Sequence, residues 1–553
     1  MNGSGLTPAA VASALFDFAL RPSQNRAAGA VVGGRDTLAV LPTGSGKSAI
    51  YQVAGLSIGG LTVVISPLMA LQRDQIASIA GREFGAGRTI GAALLNSAQK
   101  VRERRDVLAR LESGDLDFLL IGPEQLSNTE TREAIRAGAR EIGLFVVDEA
   151  HLVSEWGREF RPEYLRLADA VAEFGRPTVL ALTATAAPPV QADITRRLGM
   201  RSAEVLVADF DRPNISLGMR QTQPSRREAP AVDDRCVDVI IEHETPALVY
   251  ALTHARCEAL ADRLRHDAFR VAPYHGGLSA RARAETQDRF FAGKLDVVVA
   301  TSAFGLGIDK PDIRTVVHAG VPASIDDYYQ EIGRAGRDGK PAAAVLVHDP
   351  RTIRIPRMLA ARTHLGEATL HQVVDAIENA AGAVLLADLA KSAAVPVHAV
   401  ERIVDELAEL GFVVVSGSGR HLVVEPAKDL PPPAELTEQL EGVNQRQQAV
   451  LASRITAARE YAETTRCRRA ELLAYFGEHY PPPCGNCDND EASPAAASGS
   501  HPSVIGGIPV RHRLWGDGQL MSRDDHELLV FFDSVGYKHL TASSLDSGIL
   551  QRQ

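Results

Sequence analysis

The stretch from Leu41 to Ser48, Leu-Pro-Thr-Gly-Ser-Gly-Lys-Ser, restricts the possible fold more than any other feature. It follows an apolar run, residues 36–40, that predicts a buried strand, and residues 49–52 predict a helix start. Glycines let such a loop approach phosphates, and the helix N-terminus favours their negative charge. Leu41 stands where the general pattern has its first glycine. The predicted phosphate-binding residues are Thr43, Gly44, Ser45, Gly46 and Lys47, with Ser48 as a Mg²⁺ ligand.

Composition limits the class of protein. With 553 residues, of which 45% are hydrophobic and 23% charged, the chain predicts an ordinary soluble protein of about three or four domains. No run approaches the roughly 18 apolar residues of a membrane span, and we expect a cytoplasmic protein. The net charge of −10 argues against non-specific coating of nucleic acid but permits a local basic groove.

Short apolar runs follow the phosphate loop at residues 61–66, 118–122, 144–147 and 179–183. Alternating with polar helical segments, they predict a parallel sheet with helices on both faces and ligands at the carboxyl ends of its strands. Asp148 and Glu149 follow one such strand. Asp148 is placed to hold Mg²⁺, and Glu149 to orient or deprotonate a water molecule. The alternative is a pair of acidic residues that caps a helix.

Residues 42–48, 148–151 and 181–185 resemble the ATPase motifs of superfamily 2 helicases, and residues 148–164 resemble the RecQ family in particular. The resemblance implies that an aromatic-rich loop senses single-stranded DNA. Trp156 and Phe160 offer faces for base stacking and Arg161 a phosphate contact, the alternative being that both aromatics are core residues. The residues expected to couple the sites are His151, Thr183 and Thr185.

Residues 21–24, Arg-Pro-Ser-Gln, resemble the adenine-reading motif of this family, which implies that Arg21 and Gln24 bind the nucleotide. Ser23 replaces a glycine of the motif. Asp17 occupies the place of the stacking aromatic, so Phe16 and Phe18 are the candidates to replace it.

A second α/β domain follows residues 211–215, which resemble the family's interdomain link. Residues 246–250 and 297–300 predict its strands, and Asp309 follows the second. Residues 328–338 resemble the arginine-finger motif, which implies Arg337 as the finger, Arg334 beside it and Gln330 coupling the sites. Without the preceding motifs, a solvated basic loop would be the alternative.

Residues 385–428 predict two helices followed by a hairpin, the order of a winged helix. The second helix carries Glu401, Asp405, Glu406 and Glu409 against Arg402 alone. Because acidic side chains repel phosphates, we expect the wing, with Arg420, to contact DNA rather than this helix, and a protein contact is the alternative.

Three cysteines, Cys467, Cys484 and Cys487, lie in one segment that resembles the RecQ zinc module. Asp490 stands where the family has a fourth cysteine. A carboxylate can complete a tetrahedral zinc site, and His479 and Asp488 are alternative fourth ligands. One structural zinc ion is expected.

A Ser-, Ala- and Pro-rich linker, residues 492–503, precedes short alternating runs at 510–520, 527–533 and 536–540. These resemble the Tudor-like tail of UvrD and PcrA helicases. The resemblance implies contact with RNA polymerase or a repair protein. The alternative is a small barrel that packs on the rest of the chain.

The predicted fold is α/β with two RecA-like parallel-sheet domains, a winged helix, a zinc-binding helical hairpin and an SH3/Tudor-like barrel. Its expected divisions are 1–207, 208–360, 361–428, 429–491, the linker 492–503, and 504–553. The resemblance implies an ATP- and Mg²⁺-dependent helicase that moves 3′ to 5′ on single-stranded DNA and unwinds duplex or branched DNA in repair or recombination. A monomer at the bacterial nucleoid is expected. A translocase that remodels protein–DNA complexes and an RNA helicase are the alternatives.

Overall fold

The computed structural model describes residues 7–67, 69–84, 87–96, 99–154, 164, 167–208, 210–222, 228–305, 310–361, 365–380, 382–416, 422–492, 503–523 and 526–553. Five residues of the sequence analysis lie outside them: Trp156, Phe160, Arg161, Asp309 and Arg420. No described helix is both long and apolar enough to cross a membrane.

The first domain is built on a seven-stranded sheet. Its elements are α1 (Pro8–Leu15), α2 (Pro22–Val32), β1 (Thr37–Val40), α3 (Lys47–Ile58), β2 (Leu61–Ile65), α4 (Met69–Ile79), β3 (Glu83–Phe84), β4 (Arg88–Thr89), β5 (Ala92–Leu95), α5 (Val101–Ser113), β6 (Phe118–Ile121), α6 (Thr129–Ala137), β7 (Ile142–Val147), α7 (Leu167–Glu173), β8 (Thr178–Thr183), α8 (Pro188–Arg197) and β9 (Glu204–Val207), with 3₁₀ helices at Pro123–Ser127 and Ala150–Val153. The strands run parallel in the order β5-β6-β2-β7-β8-β1-β9, and β3 pairs with β4 in a separate hairpin.

Burial on both faces explains why these apolar runs form strands. All four residues of β1 are buried, with Leu38 and Val40 in the core on one face and Ala39 in the core on the other. β1 pairs with β8, and β8 with β7, so their carboxyl ends are neighbours at one edge of the sheet. The predicted parallel sheet is therefore confirmed, and its ends bring the candidate motifs together.

The second domain is a six-stranded parallel sheet. Its elements are β10 (Ile215–Gln221), α9 (Glu228–Glu242), β11 (Ala247–Ala251), α10 (His254–His266), β12 (Val271–Tyr274), α11 (Ala280–Phe291), β13 (Val297–Ala300), β14 (Thr315–Ala319), α12 (Ile325–Ile332) and β15 (Ala342–His348), with a 3₁₀ helix at Pro350–Ile353. The strand order is β10-β15-β14-β11-β13-β12.

A three-helix unit with a small antiparallel sheet follows, as predicted for a winged helix. After α13 (Arg354–Ala361), the unit contains α14 (Glu367–Glu378), β16 (Val384–Leu385), α15 (Leu386–Ala393), α16 (Val397–Glu409), β17 (Val413–Ser416) and β18 (Val423–Pro426), with strand order β16-β18-β17. Val400 and Ile403 of α16 pack with Val424 of β18 in a separate core.

The helix α17 (Pro433–Glu463) joins this unit to the two α/β domains. Leu436 and Leu440 near its start belong to the winged-helix core, whereas Ile455 and Tyr461 near its end belong to the large core that both α/β domains share. Two short helices, α18 (Arg468–Tyr475) and α19 (Asp488–Ala492), follow it. α17 thus fixes the winged helix relative to the rest of the protein.

The C-terminal region is a five-stranded antiparallel sheet. It comprises β19 (Ser503–His512), β20 (Gly516–Arg523), β21 (Glu527–Phe532), β22 (Gly536–Thr541), α20 (Ser543–Asp546) and β23 (Leu550–Arg552), in the order β22-β21-β20-β19-β23. The Tyr537 backbone N–H donates to Ser453 Oγ at 3.0 Å, and its ring lies 5.4 Å from that of Tyr475. One face of this sheet therefore packs on α17 and α18.

A buried ion pair links α17 to α12. Arg454 Nη2 lies 3.0 Å from Asp326 Oδ2, and the hydroxyl of Tyr475 donates to the same oxygen at 2.7 Å. All three side chains are buried. Removal of one partner would leave the other charge buried without compensation.

We predict that Asp326→Ala lowers the free energy of unfolding by about 3–5 kcal/mol, because Arg454 would remain charged and buried. Urea unfolding followed by circular dichroism measures the loss. Asp234→Ala is the matched control: Asp234 pairs with Arg263 at 3.0 Å, but both are more than half exposed, so we expect under about 1 kcal/mol. Equal losses in the two variants would contradict this interpretation.

Candidate nucleotide site and metal centre

The predicted phosphate loop connects β1 to α3. Gly44 and Gly46 adopt φ values of 77° and 75°, a left-handed backbone that glycine accepts without strain. The side-chain hydroxyls of Thr43 and Ser45 are buried and find no hydrogen-bond partner among the described residues. Ser48 is the second residue of α3. Loop hydroxyls and a helix N-terminus at one place suit an anionic ligand.

Lys47, the first residue of α3, extends across this loop. Its Nζ donates to the backbone carbonyl of Leu41 at 3.3 Å. Burial lowers the pKa of Lys47, while the charges of Glu149 and Asp148 raise it and that of Arg337 lowers it further. The ammonium group therefore lies among the acidic pair and an arginine of the second domain.

The side-chain amide of Gln24 forms hydrogen bonds to the backbone of the protein. Its Nε2 donates to the carbonyls of Ser45 and Gly46 at 2.6 and 3.0 Å, and its Oε1 accepts from the Arg21 backbone N–H at 2.8 Å. In this structure Gln24 thus braces the phosphate loop, whereas the sequence analysis assigned its amide to the adenine edge. Phe16 and Phe18 stack on each other at 4.8 Å, and Phe18 remains exposed.

Asp148 and Glu149 lie at the carboxyl end of β7, beside the phosphate loop. Asp148 is buried and accepts from Gln75 Nε2 at 3.3 Å and from the Glu149 backbone N–H at 3.0 Å. Burial raises the pKa of Asp148 to about 6, the charge of Glu149 adds to this, and Lys47 opposes it. Glu149 has a φ of 51°, a strained backbone of the kind found at functional sites.

A buried polar chain runs from Glu149 to the end of β8. His151 Nδ1 lies 3.4 Å from Glu149 Oε2 and 3.0 Å from Thr183 Oγ1. The Thr183 hydroxyl donates to the Thr185 carbonyl at 3.0 Å, so its oxygen is left to accept from a protonated Nδ1 of His151. The three predicted coupling residues are thus in one hydrogen-bonded series.

Arg337 of the second domain lies against the phosphate loop of the first. A Cβ built on Gly44 would lie 3.5 Å from Arg337 Cδ, and one built on Gly333 would lie 3.6 Å from Thr43 Cβ. Arg334 and Gln330 are buried beside it at the end of α12. The structure therefore brings together the basic motif of one sheet and the phosphate loop of the other.

Sequence reasoning missed the role of Gln75. Its Nε2 donates to Asp148 Oδ2 at 3.3 Å, and no motif singled out in the sequence had indicated this contact. Gln72, one turn earlier on α4, donates to the Ser66 carbonyl at 2.7 Å. Two glutamines three residues apart lie on the same face of a helix, and this spacing could have indicated that both point towards the strand ends.

The metal-ligand cluster contains the four predicted residues. One ligand atom each from Cys467, Cys484, Cys487 and Asp490 lies within 4.8 Å of the others. Asp490 Oδ1 is buried and has no hydrogen-bond partner among the described residues, although Oδ2 accepts from the Gly485 N–H at 2.8 Å. Three sulfurs and one carboxylate oxygen suit tetrahedral Zn²⁺.

The two alternative fourth ligands lie elsewhere. Asp488 Oδ1 pairs with Arg468 Nε at 2.5 Å, and its Oδ2 accepts from the Met219 N–H at 2.7 Å. His479 is exposed on the surface and does not belong to the cluster. The donor geometry therefore favours Asp490.

Three protein-family models match this chain. The model described as DEAD/DEAH box helicase matches residues 21–194, and that described as helicase conserved C-terminal domain matches residues 232–339. The model described as RecQ zinc-binding matches residues 433–491. The described nucleotide-site residues fall within the first two matches, and the cysteine cluster within the third.

Several named relatives are similar over most of this chain. ATP-dependent DNA helicase RecQ of Pasteurella multocida is 32% identical over 479 residues, covering 86% of this chain and 61% of the relative. RecQ of Haemophilus influenzae is 31% identical and covers 87% and 63%. The probable ATP-dependent DNA helicase RecS of Bacillus subtilis is 36% identical over 348 residues, covering 63% and 67%. The chain therefore spans about three fifths of the first two relatives.

Solved helicase structures share the fold. Mycobacterium smegmatis helicase Lhr bound to single-stranded DNA and AMP-PNP superposes with a TM-score of 0.51 and 21% identity, covering 82% of this chain and 62% of Lhr. Helicase MrfA bound to DNA gives a TM-score of 0.51 and 18% identity, covering 77% and 63%. At these identities the similarity concerns the fold alone.

We predict that Asp490→Ala lowers Zn²⁺ affinity by about 100-fold or more, since even lost outer-sphere partners cost roughly 10–100-fold. Asp490→Cys raises the affinity, because a fourth thiolate is a softer ligand. Competition with a chromophoric chelator measures both. Asp488→Asn is the control and keeps wild-type affinity. If Asp488→Asn released zinc while Asp490→Ala retained it, Asp490 would not be the ligand.

Proposed function

The chain belongs to the RecQ family of helicases, and from this we propose that it is an ATP-dependent DNA helicase. It moves 3′ to 5′ on single-stranded DNA and separates duplex or branched DNA during repair or recombination. The observation that carries the proposal is the approach of Arg337 from one sheet to the phosphate loop of the other. An ATPase shared between two domains can convert hydrolysis into relative domain movement.

In the proposed reaction, the phosphate loop and Lys47 hold the β- and γ-phosphates. Ser48 and Asp148 hold Mg²⁺, which supplies neutralisation of the phosphate charge. Glu149 orients the attacking water, and His151 and Thr183 hold that carboxylate in place through the buried polar chain. Arg337 stabilises the charge that develops on the transferred phosphoryl group, with Arg334 and Gln330 supporting its loop.

The same polar chain is proposed to couple hydrolysis to DNA. Thr183 ends β8, Thr185 follows it, and His151 follows the acidic pair. A shift of β8 would therefore reach His151 through these hydrogen bonds, and Glu149 through the 3.4 Å contact of its carboxylate with His151 Nδ1. We propose that Trp156, Phe160 and Arg161 contact the single strand, and that Asp309 contributes to the nucleotide site from the second domain; these roles rest on the resemblance of the motifs.

The zinc module and the C-terminal sheet are assigned supporting roles. The three cysteines and Asp490 would hold zinc, and the bound ion would fix the segment after α17. The C-terminal sheet packs on α17 by one face and is proposed to contact RNA polymerase or a repair protein with the remainder, where Leu514 is 85% exposed. A monomer that acts in the bacterial cytoplasm at the nucleoid is proposed.

We predict that Lys47→Ala abolishes DNA-stimulated ATP hydrolysis but retains binding of single-stranded DNA, because this lysine is assigned to the phosphates of ATP and not to the DNA strand. A coupled phosphate-release assay and fluorescence anisotropy with a labelled oligonucleotide measure the two properties. Lys294→Ala, at an exposed position of the second domain, is the control and hydrolyses ATP at the wild-type rate. Wild-type turnover by Lys47→Ala would refute the active-site assignment.

We predict strand displacement from a duplex with a 3′ single-stranded tail and none from the same duplex with a 5′ tail, in the presence of ATP and Mg²⁺. Gel separation of labelled strands measures displacement. The ATPase rate of the same protein is measured with added DNA and with added RNA. DNA-stimulated hydrolysis without displacement would instead indicate a translocase that remodels protein–DNA complexes. Stimulation by RNA alone would indicate an RNA helicase.

A further inference from the structure

The link between the two α/β domains, residues 211–215, contacts the loop that carries Arg337. We call this loop, residues 333–340, the finger loop. Arg212 Nη1 donates to the Gly333 carbonyl at 3.0 Å, and its Nη2 donates to the carbonyls of Ala335 and Gly336 at 2.8 and 3.2 Å. These carbonyls belong to the last residues before Arg337. One partly buried guanidinium thus fixes three backbone groups of the finger loop.

Asn214, two residues further along the link, contacts the same loop both before and after Arg337. Its Nδ2 donates to the carbonyls of Gly336 and Lys340 at 2.8 and 2.9 Å. Gly336 has a φ of 54°, and a Cβ there would lie 2.4 Å from Asn214 Nδ2, so the close approach requires glycine. Arg212 and Asn214 together hold the backbone before and after Arg337.

The zinc module holds the opposite side of this link. Asn486 Nδ2 donates to the carbonyls of Pro213 and Ile215 at 2.9 and 3.3 Å. Arg469 Nη2 donates to the Ile215 carbonyl at 2.6 Å, and its Nη1 pairs with Asp211. The carbonyl groups of Pro213 and Ile215 therefore point to the module, while the side chains of Arg212 and Asn214 point to the finger loop.

Aromatic packing also holds Phe210, the residue just before the link. The ring of Phe210 stacks on that of Phe476 at 4.7 Å, with 7° between their planes, and lies 5.3 Å from that of Tyr329 on α12. The Tyr329 hydroxyl donates to the Phe210 carbonyl at 2.6 Å, and the Phe210 N–H donates to Glu478 at 2.7 Å. The link is thus fixed between α12 and the zinc module.

We propose that Arg212, assisted by Asn214, is a positioning residue for Arg337, and that the zinc module holds the link from which both act. The inference rests on the proposed ATPase. A planar guanidinium presents its donors in a rigid arrangement, so several carbonyls are fixed in one geometry. Loss of this contact lets the finger loop relax, and displacement of a catalytic group by about 1 Å can cost roughly 100-fold in rate.

A positioning role and a purely structural role differ in their coupling to Arg337. If Arg212 acts only through Arg337, its removal changes nothing further once Arg337 is absent. If Arg212 merely stabilises the fold, the two losses of rate multiply. A double-mutant cycle separates these cases, because effects of residues that act as a unit are non-additive.

The test measures DNA-stimulated kcat and KM for ATP in the full-length wild type, Arg212→Ala, Arg337→Ala and the double variant. We expect Arg337→Ala to lower kcat by about 1,000-fold or more, as arginine fingers do. We expect Arg212→Ala to lower it by about 100-fold with KM little changed. The double variant should be no slower than Arg337→Ala. A double variant slowed by the product of the two single effects would overturn the proposal.

Two further variants protect the test from a folding defect. Asn214→Ala removes a smaller part of the same contact, and its smaller loss of kcat should also disappear in the Arg337→Ala background. Arg132→Ala is the matched control, since Arg132 is a partly buried arginine that donates to the Leu126 carbonyl at 2.6 Å and pairs with Glu173 at 3.0 Å, away from the finger loop. It should leave kcat unchanged. A loss of kcat by Arg132→Ala that equals the loss by Arg212→Ala would overturn the proposal.

Binding of nucleotides supplies a readout besides turnover. Arg212→Ala should weaken binding of ADP–aluminium fluoride, which mimics the transferred phosphoryl group, at least tenfold more than it weakens binding of ADP. Equal weakening of both would overturn the positioning role. A wild type without ATP hydrolysis would refute the proposed function itself, whereas hydrolysis together with multiplying effects refutes only the role of Arg212.

Discussion

The candidate nucleotide site depends on the contact between Arg337 and the phosphate loop. This contact places two positive charges from separate domains, Lys47 and Arg337, beside one anion-binding loop. Lys47 and Arg337 raise each other's electrostatic energy, and the acidic pair Asp148 and Glu149 offsets part of this repulsion. The triphosphate of a nucleotide bound between Lys47 and Arg337 would supply negative charge to both cations. The cleft between the sheets is therefore electrostatically prepared for the ligand that the family binds.

Two elements outside the sheets, α17 and the zinc module, contact the parts of the second domain that carry Arg337. α17 carries the winged helix at one end and shares the large core at the other, and its Arg454 pairs with Asp326 at the start of α12. The C-terminal sheet packs on the same helix through Tyr537. The zinc module holds the link through Arg469. The helix that leads to the finger loop, α12, is thus held by α17 through Asp326 and by Phe210, just before the link, through Tyr329.

Much of the architecture could be predicted because its signals are local. Strands such as β1 and β13 are buried on both faces and so are continuous apolar runs, which the sequence displays without ambiguity. The metal cluster was also predictable, since Cys467, Cys484 and Cys487 needed one more donor and Asp490 stands at the family position. The C-terminal strands were predicted, whereas the docking of Tyr537 was not, because no local pattern encodes which face of a sheet finds a partner.

By itself, the sequence determined the order of the motifs, the parallel sheets and the types of residue at the phosphate loop, because turn chemistry and apolar periodicity act over a few neighbouring residues. Only the tertiary structure decided that Gln24 braces the loop, that Gln75 contacts Asp148, and that Arg212 holds the finger loop. These contacts join residues 21 to 124 positions apart. Such pairs meet only when whole sheets have packed, so their geometry follows from the fold and not from any single stretch of chain.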